Sequence, residues 1–528
     1  MGDTMKRREF LERSARGLAL TSLVTGLGGI RINALAMSPT LRALEQLTGG
    51  SDRVFVLIQL TGGNDGLNTI IPVENPLYYQ ARPTLAIPKS QTLPLTDTLG
   101  WHPSLRGFRE LFADGRLAIV QNVTYPNPDR SHFRGTDIWL TATDSDVFKS
   151  SGWVGRFLET LAPSFPEQLP DEPLAVQIGT TLSLGFQGNR GSLGITFRDP
   201  ESFYSLVDQQ GTNSLYDEAP ATLGGSELEF VRTVERSSQL YSQAVKRAAD
   251  RQKTNTVTYP TDNPLAQSLR IVARLIAGGL TTKFYLVSIG GNTFDTHINQ
   301  GALTGTHPQL LQQLGDAVKL FLDDCRGLGV ADRVVGMTFS EFGRRVMENG
   351  SRGTDHGTAA PLFVFGEHVL GGQVLGHDPD LANLDSRGDL LMEFDYRQVY
   401  AAALLQWFGA PMTTLQTVLF REFSPLPLFQ QISSVAPWED AALVQSLSIT
   451  PNPCTTHAVL SFTLPAPARV SVTIHDACGR RITAYDAGDY ASGNGTVLLP
   501  TERLAAGTYF VRLQAGPRQA MKAFFVLH

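Results

Sequence analysis

VVGMTFSEFGRRVMENGSRGTDHGTAAPLFVF, residues 334–365, is where the architecture can first be read. It opens on an apolar, β-prone run, residues 334–339, of the kind found in a strand covered on both faces. Ser340 and Glu341 stand at its end, followed by a loop rich in Gly and charge that contains Arg344. The loop closes on Asp355-His356-Gly357, and a second short apolar run follows at 362–365. An open α/β sheet carries its chemistry in loops just past strand ends. Acids and an imidazole crowded together are poorly tolerated unless a cation compensates them. The stretch therefore reads as half of a metal site, with Glu341, Asp355 and His356 as candidate ligands. Asp and Gly are also ordinary turn residues, and this stretch alone leaves both readings open.

Working outward, the same pattern recurs. Residues 54–60, VFVLIQL, form a continuous apolar run that ends in a tight turn, TGGNDG, with Asp65 at the strand's C-terminal end. Asp65 is a metal-ligand candidate, or else a turn Asp bonded to its own backbone. A strand at 117–122 leads to NPDRSHFRG at 127–135. There Ser131, between Arg130, His132 and Arg134, reads as an activated nucleophile or an anion-binding corner; the alternative is a helix N-cap. A strand at 284–289 runs into GGNTFDTH at 290–297. Asp295 and His297, two apart in an extended loop, point the same way and make a platform for one divalent ion.

Helical patterns at 104–112, 226–250, 264–276, 310–328 and 395–408 alternate with these strands. Ser226 and Glu229 suggest a capping box at the second of them. The alternation predicts an α/β fold with a doubly wound, mostly parallel sheet. Residues 150–225, rich in Gly, Pro and Ser, read as irregular insertions that shape a substrate mouth, and His102 as a packed or capping histidine. Acids and imidazoles at several ends of one sheet predict a shared site.

Composition narrows the class. The 528 residues hold 44 basic and 50 acidic side chains, a formal charge of −6, and no basic arm, which argues against nucleic acid as a partner. Length predicts more than one domain. Fifty Gly and thirty Pro favour a loop-rich fold over a helical bundle. Three cysteines make no disulfide framework; Cys454 and Cys478 are placed to pair after export, and Cys325 falls in a helical pattern as a buried thiol.

At the N-terminus, Arg7-Arg8-Glu9-Phe10-Leu11 precedes a mildly apolar run at 17–30 and then Ala34-Leu35-Ala36. That is a charged region, a short apolar region and a small-residue cleavage site. The paired arginines followed by x-Phe-Leu resemble a twin-arginine signal, which exports proteins already folded. The run is too short to span a bilayer, so the mature protein is expected to have no transmembrane segment. A cytosolic amphipathic helix is the alternative.

GGNDGLN at 62–68, SHFRG at 131–135, FDTH at 294–297, SEFGR at 340–344 and GTDHG at 353–357 resemble, in order, the proteins grouped as domain of unknown function 1501. That family is similar in turn to the alkaline phosphatase and sulfatase superfamily. This second resemblance implies an alkaline phosphatase-like domain with divalent metal ions on Asp and His at strand ends, and a Ser or Thr nucleophile between them. Carried over, Asp65 matches the first-strand Asp, Ser131 the nucleophile, Asp295 and His297 one metal platform, and His356 the late His. Where the superfamily has an Asp-His pair this chain has Ser340-Glu341, or the pair is displaced to Asp355-His356. Arg130, Arg134 or Arg344 would hold the remaining oxygens of a small anionic ester or polysaccharide-derived substrate. Zinc, manganese, magnesium and calcium all stay open.

From 447 onward the composition shifts to short β-prone runs at 458–464, 469–475, 496–500, 508–514 and 520–527, which predict a small all-β sandwich. TPNP at 450–453, DACGR at 476–480 and LAAGTYF at 504–510 resemble the type IX secretion sorting domain. The resemblance implies passage through the periplasm to the cell surface or beyond; a carbohydrate-binding or adhesive sandwich is the alternative. The expected organisation is a signal at 1–36, the α/β domain at 50–411, a connector at 412–445 and the sandwich at 446–528. The expected function is an exported metal-dependent hydrolase of phosphate or sulfate esters, or a non-catalytic surface scaffold on the same fold.

Overall fold

In a computed structural model of the chain, the described residues are 52–208, 223–289, 294–430, 443, 446–476, 481–502, 504–516 and 518–527. The signal-like segment at 1–36, Gly290 to Thr293, Cys478 and most of the later part of the connector lie outside them. The chain divides into two compact units, Asp52–Trp438 and one that includes Glu439–His528.

The larger unit is built on β1 (Val54–Gln59), β2 (Leu117–Thr124), β3 (Ala175–Ile178), β4 (Gly194–Phe197), β5 (Phe284–Ser288), β6 (Val334–Phe339), β7 (Ala360–Gly366), β8 (Val374–Leu375) and β9 (Phe394–Asp395). Among the described residues these nine strands form one sheet in the order β8–β2–β7–β6–β1–β5–β3–β4, with β9 also on β2. The pairings are parallel except those of β7, which runs against β2 and β6. The helices that matter below are α1 (Pro76–Ala81), α2 (Arg106–Ala113), α3 (His132–Thr141), α4 (Trp153–Leu161), α5 (Leu223–Arg251), α6 (Pro264–Ala277), α7 (Thr306–Gly327) and α8 (Tyr396–Ala402).

Strand β1 shows why the apolar runs are continuous. Val54, Val56 and Ile58 pack under α2, α5, α6 and α7. Phe55 and Leu57 turn to the opposite face, under α3, α4 and α8. Both faces are dry, so polar alternation has no place in the sequence. The predicted doubly wound sheet is the one observed.

Topology then sets the site. Gln59 is level with Ser288 on one side and Phe339 on the other, so β1, β5 and β6 end along one rim. Because β7 runs backwards, it starts at that rim, and residues 340–359 leave it and return to it. A parallel β7 would have carried the residues just before it to the far edge of the sheet.

Two expectations need correction. Residues 150–225 are not simply irregular: they supply α4 and the strands β3 and β4, which extend the sheet beyond β5. Four-residue strands between Gly and Pro are too short for periodicity to register. Helix α5 begins at Leu223, ahead of Ser226, so that serine is inside the helix rather than at its cap. Cys325 is buried, as is His102.

The smaller unit holds β10 (Ser448–Thr450), β11 (His457–Leu464), β12 (Ala468–Asp476), β13 (Arg481–Tyr490), β14 (Gly493–Pro500), β15 (Gly507–Ala515) and β16 (Arg518–Val526). They form two antiparallel sheets, β10–β11–β14 and β13–β12–β15–β16. Alternate residues face inward, Leu460 and Phe462 from one sheet and Val470, Val472, Val511 and Leu513 from the other. This is the two-layer solution expected for a β-sandwich. Cys454 is buried in it, with its sulfur 3.4 Å from the Phe525 carbonyl.

Candidate metal centre

Three histidines meet Asp295 at the rim. His132 is the first residue of α3, placed there by Ser131, the N-cap, whose side chain accepts from the Arg134 N–H. Its Nδ1 lies 2.9 Å from Glu341 Oε1, and its Nε2 3.4 Å from Asp295 Oδ2. His297, past β5, sets Nδ1 2.9 Å from Asp355 Oδ1 and Nε2 3.1 Å from Asp295 Oδ1. His356, just before β7, sets Nδ1 2.8 Å from the Arg130 carbonyl and Nε2 3.2 Å from Asp295 Oδ1.

In every case the partner of Nδ1 is an acceptor: two carboxylates and a backbone carbonyl. A proton on each Nδ1 satisfies these acceptors, and that tautomer would leave each Nε2 lone pair available to a metal ion. His297 Nε2 and His356 Nε2 are only 2.9 Å apart. Imidazole nitrogens this close to one another and to a carboxylate are the arrangement a shared cation favours. The separations of 2.9–3.2 Å among His297 Nε2, His356 Nε2 and Asp295 Oδ1 are near the ligand-to-ligand spacing about a zinc-sized ion, roughly 3.3 Å for bonds of roughly 2 Å. Ligand atoms of His132, Asp295 and His356 all lie within 4.8 Å of one another, the spacing one metal ion requires. The donor set fits such an ion.

Packing holds the group in place. Phe342 lies against His356 and His132, with ring centroids 4.5 and 5.0 Å apart. Gly62 has φ of +111°, and a Cβ there would come within 2.4 Å of the Asp295 backbone N. Gly353 lies so close to His297 that a Cβ would sit 2.3 Å from its carbonyl group. The glycines of the two motifs thus let the loops close on one another.

Charge is balanced from behind. Burial would raise the Asp295 carboxyl, but the hydrogen bond and charge of Arg344, 2.6 Å away, hold it down to about 2. The Glu341 hydrogen bond raises the pKa of His132, while burial lowers that of His356. The Asn349 amide, 2.9 Å from Asp355 Oδ1, lowers the pKa of Asp355 and also donates to the His297 carbonyl.

The structure redistributes the residues expected from the sequence. Asp295, His297 and His356 converge. Glu341 and Asp355, expected as ligands, stand behind the imidazoles as acceptors. Glu341 is buried and also takes the Gly62 N–H at 2.8 Å. Asp65 is not in the group. It is fully buried, and its Oδ2 faces Arg82 Nη1 and Gln300 Nε2, each at 2.5 Å. Burial would raise its pKa, yet Arg82 overturns that and lowers it. Asp65 is paired with the Arg82 guanidinium, delivered by the end of α1, and lies outside the group around Asp295.

Ser131 occupies the N-cap of α3. Arg344 is buried, donating to the Gly62, Gly63, Phe294 and Thr354 carbonyls besides Asp295. Arg130 pairs with Asp385 and Asp389, and Arg134 donates to the Ser145 and Val147 carbonyls. None of the three guanidinium groups is positioned as a free anion clamp. His132 is the residue that sequence reasoning passed over. The signal was present in SHFRG, where attention fell on the serine rather than the imidazole beside it.

A family profile described as "Protein of unknown function (DUF1501)" matches residues 149–412. One described as "Secretion system C-terminal sorting domain" matches residues 448–527, so the smaller unit is a sorting domain that sends the chain by the type IX route to the cell surface or outside the cell. Curated proteins give no match. Solved structures with likeness include dimeric latent PorU from Porphyromonas gingivalis, 16% identical over 15% of this chain and 9% of that one, with TM-score 0.14. They also include the PsFucS1 sulfatase from Pseudoalteromonas sp., 10% identical over 88% of each chain at TM-score 0.30. A mutant of the alkaline phosphatase PafA is 10% identical over 56% of this chain and 64% of that one at TM-score 0.26. The chain thus spans less than a tenth of PorU. Overlaps this loose say nothing about the chemistry of the site. Among the described residues no helix is long and apolar enough to cross a membrane.

Proposed function

The chain belongs to the DUF1501 family, and from that premise we propose that it is an exported hydrolase of phosphate or sulfate esters built on one divalent metal ion. The ligands would be His132, Asp295 and His356, three protein groups that leave a position for water or ester, with His297 beside them. One observation supports the reading: ligand atoms of His132, Asp295 and His356 lie within 4.8 Å of one another, while the Nδ1 atoms of His132 and His356 face acceptors on the other side. The ester class comes from the motif resemblance between 62 and 357. Of the four ions open at the start, zinc suits a set of two imidazoles and one carboxylate, whereas magnesium and calcium prefer oxygen. Export across the inner membrane by the twin-arginine route rests on residues 7–11.

A zinc ion there would polarise an ester oxygen and make a water acidic enough to ionise near neutrality. The chain's own residues do the rest. Glu341 and Asp355 orient the imidazoles of His132 and His297, and Glu341 raises the basicity of His132. Arg344 keeps Asp295 ionised and aimed at the imidazoles. Phe342 closes one side to water. Ser131 Oγ accepts the Arg134 N–H at the N-terminus of α3, and in this reading the attacking group is a water rather than Ser131.

The test is metal content by mass spectrometry on natively exported protein, with turnover of an aryl phosphate and an aryl sulfate. About one zinc per chain is expected, with turnover lost on chelation and in His356→Ala. A chain that takes up no metal from excess zinc refutes the proposal. A metal-stabilised surface scaffold is the second reading, favoured by the engagement of Arg130, Arg134 and Arg344 within the fold. One zinc per chain without turnover of either ester would select it.

A further inference from the structure

Gln300 and Thr354 are fully buried and Thr296 nearly so. Gln300 Nε2 donates to Asp65 Oδ2 at 2.5 Å, and Arg82 holds that carboxylate in turn. The end of an amide that faces a carboxylate must be its NH2, so the oxygen of Gln300 points the other way. There Oε1 accepts two hydroxyls, Thr296 Oγ1 at 3.0 Å and Thr354 Oγ1 at 2.6 Å. Thr296 stands between Asp295 and His297, and Thr354 two residues before His356. One oxygen therefore ties the segment that follows β5 to the segment that precedes β7. The backbone supports the same junction: the Thr354 N–H donates to the Thr296 carbonyl at 3.1 Å, and the Gln300 N–H to the Arg352 carbonyl at 2.9 Å. An apolar side chain of similar size would fill this space without the cost of burying an amide. The amide is distinguished by what it joins, the immediate neighbours of two candidate ligands that come from distant parts of the chain.

We propose that Gln300 is a positioning residue for the metal centre. By drawing both threonine hydroxyls to one atom it fixes the spacing of the two segments, and so helps to hold Asp295 Oδ1 and His356 Nε2 at 3.2 Å, within reach of one ion. Glutamate could not replace it, because a second carboxylate would then face Asp65 in a buried place. The inference rests on the proposed metal centre and deepens it.

The test reads metal binding, so it stands apart from turnover. Zinc affinity of the full chain is measured by competition with a chelator, and cobalt loaded in place of zinc reports ligand geometry through its visible absorption. Gln300→Met keeps the length and removes the amide. Thr354→Val keeps the shape and removes one donor, and Thr354→Ser keeps that donor. Gln300→Met should bind zinc about tenfold more weakly or worse and alter the cobalt band. Thr354→Val should bind it at least about threefold more weakly, with Thr354→Ser within about twofold of wild type. A role confined to stability would lower the urea midpoint of the metal-free chain and leave the affinity and cobalt band of the folded protein unchanged; that result overturns the inference. If Gln300→Met does not fold, the Thr354 pair decides: Val weaker than Ser sustains the inference, and Val equal to Ser overturns it. A wild-type chain that binds neither ion overturns the metal centre together with the inference. Wild-type binding that persists unchanged in Gln300→Met and Thr354→Val overturns the inference alone.

Discussion

Replacing Glu341 by Gln separates the metal centre from the fold that holds it. Glu341 Oε1 accepts both the Gly62 N–H and the His132 Nδ1–H, while Oε2 has only Ser340 Oγ nearby, at 3.4 Å. Gln keeps the shape and one oxygen, so both bonds can persist as neutral ones. Exchanging a charge-assisted bond for a neutral one costs about 1 kcal/mol, a small fraction of the stability of a core this size. Metal affinity should suffer more. His132 loses the negative partner that raises its pKa and fixes its tautomer, and loss of such an anchor weakens metal binding by about 10- to 100-fold. Glu341→Ala goes further, leaving the Gly62 N–H buried without a partner at a cost of about 1–3 kcal/mol. The assay is competition for zinc against a fluorescent chelator, paired with urea unfolding of the metal-free chain. Zinc affinity within twofold of wild type in a folded Glu341→Gln would mean that His132 is not a ligand, and the construction of the centre given above would be wrong.

Asp65→Asn should destabilise the metal-free chain by about 3–5 kcal/mol, because Arg82 is left buried without its counter-charge, while zinc stoichiometry is unchanged; loss of zinc at retained fold would return Asp65 to the ligand set. The folded pKa of Asp65 lies below its unfolded value, so its stabilisation is complete above about pH 4 and disappears as pH falls through the folded value; urea midpoints of wild type and variant should converge in acid. His307 is buried, and burial holds its pKa down to about 3. The unfolded chain binds that proton near pH 6.5, so stability should fall by about 1.4 kcal/mol per pH unit between there and about pH 3. His307→Gln should remove that part of the slope, and an unchanged slope would show that other groups cause it. Ser131→Ala should cost about 1 kcal/mol as a lost cap and leave zinc binding and ester turnover within about twofold; a thousandfold fall in turnover with an intact fold would make Ser131 the nucleophile.

The sheet was legible in the sequence because burial on both faces leaves a mark that no loop imitates. The runs at 54–60, 117–122, 284–289 and 334–339 are apolar at successive positions, and the observed strands differ from them by no more than two residues at an end. The four-residue strands β3 and β4 left no such mark. Asp295, His297 and His356 drew notice for a similar local reason: they stand immediately beyond strands, or before one, at an edge where a parallel sheet keeps its loops.

The division of labour among the polar groups belongs to the tertiary structure. Glu341 and Asp65 look alike along the chain, each an acid just past a buried strand. In space Glu341 meets the imidazole of residue 132 and Asp65 the guanidinium of residue 82. A carboxylate's role is set by the cation or donor within about 3 Å of its oxygens, and that partner comes from a distant segment whose approach depends on crossover helices and on the reversed direction of β7. Residue type and spacing identified groups able to hold a metal; the fold decided which of them meet at one point of the rim and which pair elsewhere.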